Sequence, residues 1–587
     1  MRKRSVTAVV MSAALAFGLA ACGGGSDDNN TDNNNNNATP AFDAAIDKVY
    51  SPSDKTGGTL KMAISEDWDS VDPGDTYYGL SWNFLRIYGR TLTTWKAVPG
   101  KGSQELVGDL AEGLGTPSEG GKTWTYKLRP NLKFEDGTPI TSKDVKYAVL
   151  RTVDKGVLVN GPTYFGDSLA LPEGYKGPYK SKGVNTDSAI ETPDDLTIVF
   201  HLKQPFGGFD YFAQLPGTVP VPEAKDTGVK YKEHVISSGP YMFEKYEEGK
   251  GFTLVRNPNW DKATDPLRPA LPDRYEVTLG VEANDIDNRL ISGDLDVDLA
   301  GTGVQPASLA RVLNDPNLKA QADNPGSART WYTSINPKVA PLDNIECRKA
   351  IMYAADRTGL QAAYGGELAG GPIATSMLPP VIPGHQDINP YPAGADNKGD
   401  VEKAKAALQA CGQPNGFATN MAYRSDRPKE QATAESLQQS LARVGINLTL
   451  KPLPTGDYFS LYAGKPSYRD GQKLGLMTNG WQADWNDGYG FLSQIVDSRT
   501  IRPSGGSSNL SVYIPEVDAL LDQAAGETDN AKREAIWGQI DKRIMDEAVV
   551  LPAVWASALT LRSKNATNIF VNEAYGQYDY MMMGATK

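Results

Sequence analysis

Apolar positions change period along the chain and predict an alternation of strands and helices. Residues 59–65 and 195–202 alternate apolar and polar side chains as half-buried strands do, and 122–128 (KTWTYKL) repeats that pattern with aromatics. A hairpin is predicted where 238–246 meets 252–260 across a Gly-Lys-Gly turn, and further strands at 274–279, 295–299, 331–336, 446–450 and 549–555. Helical spacing occurs at 82–91, 284–292, 345–357, 400–410, 429–444, 516–525 and 531–548. Thr141 stands three residues before Asp144, just after an Asp136-Gly137 turn, which predicts the capped start of a helix running to Arg151. The order is that of a mixed α/β body, and no repeat marks a solenoid.

The stretch with most chemistry is 474–489, LGLMTNGWQADWNDGY. It begins as a buried strand, ends in two tryptophans and two carboxylates, and passes into a helical segment at 490–496. Acids and indoles just beyond a strand suit the mouth of a cleft, where an aspartate pairs with a cation and indoles flank what the cation is attached to. The competing reading is a loop whose polar residues cap the helix and whose tryptophans fill core.

The ends of the chain place the body outside the cytoplasm. Arg2, Lys3 and Arg4 precede an apolar run at 6–20, too short to span a bilayer, and Leu19-Ala20-Ala21-Cys22 follows. That order resembles the lipobox of bacterial lipoproteins, which implies a signal peptide over 1–21 and a lipid on Cys22 that anchors the protein to the cell membrane. A plain secretory signal with a chance cysteine is the alternative. Residues 22–56 are low in complexity, with seven asparagines between Asn29 and Asn37, and read as a disordered tether. The remaining body, roughly 530 residues, exceeds one ordinary core and implies two or more lobes. A formal net charge of −12 argues against nucleic acid as a partner. Of three cysteines, Cys347 and Cys411 are left to form a disulfide in an oxidising compartment, two separate thiols being the alternative.

Runs spread over the mature chain resemble the extracytoplasmic solute-binding proteins, family 5, of peptide/nickel-type ABC importers. They are 110–149, 238–260, Ser292-Gly293-Asp294-Leu295-Asp296, 331–357, Met377-Leu378-Pro379-Pro380 and 480–492. The resemblance implies an α/β, two-lobed periplasmic-binding-protein-like clamp of the class II/cluster C type, with an extra subdomain inserted in the first lobe. Lobe I would span 57–320 with the insertion at about 99–234, lobe II 321–540, and 541–587 would return to lobe I. It also implies capture of a short peptide, held mostly through its main chain like an added strand, and delivery to an ABC-transporter permease without catalysis. Asp484 matches the aspartate that receives a peptide ammonium, and Trp481, Gln482 and Ala483 the strand edge beside it. Asp67, Trp68 and Ser70 occupy the matching early segment of the opposite lobe. Arg424 and Arg427 fall near the arginine that dipeptide binders use for the ligand carboxylate. A monomer without cofactor or metal is expected.

Two other readings stay open. The same clamp takes oligosaccharides or other small solutes in related proteins, and Trp68, Trp331, Trp481 and Trp485 are suited to sugar faces. Nickel is disfavoured, since His201, His234 and His385 are far apart in sequence. A secreted hydrolase would need a nucleophile or metal motif that the chain lacks, leaving only carboxylate pairs such as Asp484 and Asp487.

Overall fold

The computed structural model describes residues 41–586, apart from Thr302, Thr528 and the Asn530 side chain. The signal segment, Cys22 and the low-complexity stretch up to residue 40 lie outside the described residues. Two five-stranded sheets divide the rest into two lobes. In the first, the order is Val297–Asp298, Thr59–Ala63, Arg274–Thr278, Gly251–Arg256, Tyr241–Glu247. Thr59–Ala63 pairs parallel with both its neighbours, and the last three strands form an antiparallel meander whose Tyr241–Glu247/Gly251–Arg256 hairpin is the predicted one. Alternation decides the faces: Leu60, Met62, Tyr275 and Val277 are buried while Lys61 and Glu276 are exposed.

A four-stranded antiparallel sheet, Thr116–Ser118, Thr123–Lys127, Thr197–His201 and Ile190–Asp194, lies within 99–234 and shares an aromatic-rich core with the first lobe. The helix Ser142–Arg151 covers it, opened by the predicted capping box: Asp144 accepts the Thr141 N–H at 2.7 Å.

The second sheet runs Asn447–Leu453, Ala418–Arg424, Leu474–Gln482, Gly326–Ile335, Val550–Ser557. Its central strand is buried from Leu474 to Asn479 with no alternation, because both faces are covered. The Ala418–Arg424 strand was not foreseen. The helix expected over 345–357 is two helices, Ile345–Ala354 and Arg357–Ala363, since Asp356 turns outward to cap the second and accepts the Gly359 N–H at 2.8 Å. The helix expected at 82–91 is shorter and earlier, Gly79–Leu85, and Arg90 beyond it is drawn to the buried Asp109 at 2.8 Å. Cys347 and Cys411 are joined by a disulfide between the Ile345–Ala354 and Val401–Ala410 helices.

Two domain boundaries need correction. The tether expected to run to residue 56 has already docked by residue 43, because this stretch has backbone partners on the body: Asp43 N–H donates to the Ala322 carbonyl, Val571 N–H to that of Ala45, and Tyr50 pairs with Ile569. The return to the first lobe expected at 541 comes after Ser557, because the apolar run 549–556 is needed as the edge of the second sheet beside Gly326–Ile335. The chain therefore crosses between lobes on two adjacent short strands, Ala322–Asp323 and Thr560–Leu561, paired antiparallel.

Asp323 is the hub of that crossing. Its carboxylate pairs with Arg562 and accepts the Ala45 N–H (3.0 Å) and the Tyr578 hydroxyl (2.7 Å), with both charged side chains almost wholly buried. Asp323→Ala would leave the Arg562 guanidinium buried without its counter-charge, and is expected to cost about 3–5 kcal/mol. A fall in the urea midpoint checks this; an unchanged midpoint would show that the hub contributes no stability.

Candidate ligand-binding cleft

The site begins where the central strand of the second sheet outruns a neighbour. Leu474–Gln482 pairs antiparallel with Gly326–Ile335 as far as Arg329 opposite Gln482, whereas Ala418–Arg424 on its other side pairs only with residues up to Met477. The Ala483 N–H bonds the Ala328 carbonyl at 2.9 Å. That fixes the phase of the ladder, so the backbone groups of Gly480 and Gln482 point to the unpaired edge. Glycine is required at 480 because the Trp331 ring lies against it: a Cβ there would fall 2.1 Å from the indole.

A cavity of about 420 Å³ opens between this edge and the first lobe. Glu66, Trp68, Tyr77 and Tyr78 line it from the first lobe; Arg329, Arg424, Arg427, Trp481 and Asp484 line it from the second. Asp484 sits just past the strand end. Its Oδ2 accepts hydroxyls from two first-lobe tyrosines, Tyr77 at 2.9 Å and Tyr164 at 2.5 Å, and its Oδ1 accepts from none of the described donors. Burial pushes the Asp484 carboxyl up to about 7, against the pull of the two hydroxyls. Burial and the same carboxylate hold both tyrosines far above their ordinary range, so they remain donors.

The arginines are not equivalent. Arg424 donates through Nε (2.8 Å) and Nη2 to Glu430 Oε1, and Glu430 also accepts the Arg424 N–H and the Thr478 hydroxyl. Despite burial, Arg424 and Arg427 hold Glu430 below the usual carboxylate range. Arg427 reaches across the lobes to Glu66, at 3.0 Å from Nε and 2.5 Å from Nη2. Arg329 has no carboxylate within 4 Å among the described residues; its Nη2 donates to Gln482 Oε1 at 2.8 Å and its guanidinium lies 5.2 Å over the Trp331 ring. Gln482 in turn donates to the Tyr575 carbonyl of the first lobe at 2.5 Å.

The sequence profile of bacterial extracellular solute-binding proteins, family 5 (middle region), matches residues 105–502. The chain belongs to this family. Among its relatives, the probable D,D-dipeptide-binding periplasmic protein DdpA of Escherichia coli K12 is 27% identical over 499 residues, 83% of this chain and 87% of that protein. The glutathione-binding protein GsiB of Shigella dysenteriae serotype 1 (strain Sd197) is 26% identical over 514 residues, 87% of this chain and 91% of that protein. Among solved structures, clavulanic acid biosynthesis oligopeptide binding protein 2 superposes with a TM-score of 0.86 at 42% identity, covering 93% of this chain and 99% of that one.

Within this solute-binding protein the residues singled out from sequence divide. Asp484, Trp481, Gln482, Ala483, Asp67, Trp68, Arg424 and Arg427 all border the cavity. Ser70 does not: it is buried, and its Oγ accepts the Asp72 N–H. Asp67 is exposed at the mouth, and Trp68 shows only an edge, being packed against Phe84 and Phe252. Asp487 caps the Gly488–Val496 helix by accepting the Tyr489 N–H, and Trp485 is buried among Tyr164, Tyr211 and Phe212. The paired carboxylates and indoles of 481–487 thus split between cleft and scaffold. Arg329, Tyr77, Tyr164 and Glu66 were missed. Arg329, Tyr77 and Glu66 lie in ordinary strand and loop context and Tyr164 at the start of a short helix, and only the fold brings the first three to the cavity and Tyr164 to Asp484 behind it.

The raised carboxyl of Asp484 makes affinity for an amine pH-dependent. An ammonium needs the ionised form, so below pH 7 binding must expel a proton, and the dissociation constant is expected to rise about tenfold per pH unit between 7 and 5. The ligand-free protein should show the complementary trend. Its Asp484 contribution is fully present below the unfolded value of roughly 4 and is lost as pH rises through 7. Calorimetric titrations at pH 5, 6, 7 and 8 check the first statement; flat affinity would show that Asp484 meets no cation.

Proposed function

We propose that this protein captures short peptides outside the cytoplasm and delivers them to an ABC-transporter permease, held at the membrane by a lipid on Cys22. The observation that carries the reading is Asp484: a carboxylate in a closed cleft, oriented through one oxygen by Tyr77 and Tyr164 and open to the cavity through the other. A buried carboxylate of that kind is stabilised by a cation with hydrogens to donate, which is what a peptide's α-ammonium provides. The strand edge beyond Met477, where the Gly480 N–H is held by Asn479 Oδ1 but the Gln482 backbone groups and the Gly480 carbonyl have no strand partner among the described residues, offers main-chain partners to an extended ligand alongside. Relatives named for D,D-dipeptides, glutathione and oligopeptides are consistent with a peptide-like ligand.

The oligosaccharide reading finds less support. Trp485 is enclosed by aromatic side chains, Trp331 is stacked on Tyr364, and Trp68 is largely core, so of these four tryptophans only the half-buried Trp481 is left to offer a face, whereas sugars use opposed indoles. A hydrolase reading on Asp484 and Asp487 fails on geometry, because Asp487 is committed to its helix cap. No group of three or more metal-ligating side chains occurs among the described residues.

Asp484→Asn keeps the shape and hydrogen bonds of the site but removes the charge. Peptide affinity is expected to fall by about 2–5 kcal/mol, measured by isothermal titration, with melting temperature unchanged or raised. Wild-type affinity in the variant, or recovery of oligosaccharide instead of peptide by mass spectrometry of natively purified protein, would overturn the reading.

A further inference from the structure

The polar groups of the cleft do not balance at its arginine end. Three guanidiniums, Arg329, Arg424 and Arg427, face two carboxylates, Glu66 and Glu430. Both carboxylates are engaged: Glu430 by Arg424 and Glu66 by Arg427. Two other buried cations nearby do not alter this. Lys429 has Asp287 and Asp298 as its neighbouring carboxylates, Arg502 has Asp167, and neither cation is among the lining residues. Arg329 is left with a neutral amide and an indole face, and burial together with Arg427 and Arg424 draws it down to about 10. A guanidinium so placed has donors to give and no anion to give them to.

Its position relative to Asp484 is set by the ladder. Arg329 stands opposite Gln482, and Asp484 lies two residues further on. Two extended residues advance about 6.6 Å and neighbouring strands are about 4.8 Å apart, so the two backbones are roughly 8 Å from one another. The cleft thus presents, a short distance apart, a guanidinium with no carboxylate partner among the described residues and the Asp484 carboxylate held by two tyrosine hydroxyls, in a cavity of about 420 Å³ near the low end of small-ligand sites.

We infer that Arg329, and not Arg424 or Arg427, receives the ligand's carboxylate, and that the cleft therefore selects short zwitterions of dipeptide size with a free C-terminus. This rests on the ammonium reading of Asp484, and the two are separable. Arg424 is excluded because displacing Glu430 from it would expose that buried carboxylate without a partner, and Arg427 because its fork ties the lobes together through Glu66. Arg329 needs to give up only the Gln482 amide, and a carboxylate fits its fork better.

The probes are alanyl-alanine pooled with mixed-sequence dipeptides, the same pool N-acetylated, the same pool C-amidated, and a pentapeptide pool. They are titrated into wild type, Arg329→Gln and Arg329→Lys. In wild type, amidation and acetylation are each expected to weaken binding by roughly 30-fold or more, and the pentapeptide pool to bind more weakly than the dipeptide pool. In Arg329→Gln the amidation penalty should shrink to within about threefold while the acetylation penalty persists, and Arg329→Lys should restore part of it. Removing a cation that has no protein carboxylate should also leave the melting temperature of the ligand-free variant unchanged or higher, which a structural arginine would not do. An equal amidation penalty in wild type and Arg329→Gln overturns the assignment while leaving Asp484 intact. A lost acetylation penalty in wild type overturns the ammonium reading instead. Preference for pentapeptides, or no response to any pool, overturns the size selection.

Discussion

Closing two lobes over a cavity takes charge out of water, and the cost of doing so organises this cleft. Each guanidinium in its wall is matched or is left for the ligand, and the buried Asp69 is held by the donors of Thr76, Tyr77 and Ser81. Glu430 fixes Arg424 within the second lobe, and Glu66 fixes Arg427 across the lobes. The tyrosines of the first lobe take one oxygen of Asp484 without neutralising it. The same rule governs the crossing point, where Asp323 and Arg562 are buried together and a backbone N–H and a tyrosine fill the remaining acceptor positions. Internal pairing neutralises the other guanidiniums and leaves Arg329 and Asp484 facing the cavity.

The strand Leu474–Gln482 performs two tasks in succession. Through Met477 it is flanked on both sides and buried on both faces, which fixes its position in the core. From Thr478 it keeps only the Gly326–Ile335 partner, and the edge it exposes faces the opposite lobe. Rigidity comes from the first half and ligand contact from the second, so Asp484, two residues past the strand end, is anchored by a core strand.

Much of the fold was legible because periodicity reports burial directly. The hairpin at 241–256, the capping box at Thr141 and Asp144, and most of the helices of the second lobe needed only local rules. Errors arose where a local signal was overridden. Asp356 looks like a continuing helix residue and is a cap; Asp487 resembles Asp484 in sequence and is also a cap. In the cleft, Asp484 could be read from its neighbours, but the state of an arginine could not. Whether Arg424, Arg427 or Arg329 is occupied depends on Glu430, six residues from Arg424, and on Glu66, separated from Arg427 by 361 positions in the chain. Arg329 itself sits in a strand where an arginine reads as the solvent-facing member of an alternating pair.

The two unmatched charges bear on when the cleft closes. Empty and closed, it holds Asp484 and Arg329 away from water, and burial moves both toward their neutral forms, to about 7 and about 10. Opening rehydrates both, so charge alone disfavours the empty closed state. A zwitterion supplies each with its counter-charge at the moment water is lost, and so binds the closed arrangement better than the open one. A differential affinity of that kind is what shifts a population toward closure. The cross-lobe ties, Glu66 with Arg427 and Gln482 with the Tyr575 carbonyl, are already made in the absence of a ligand and so do not depend on one. Ligand dependence then resides in Asp484 and Arg329, and the carboxylates paired with Arg424 and Arg427 keep those two guanidiniums from answering in Arg329's place.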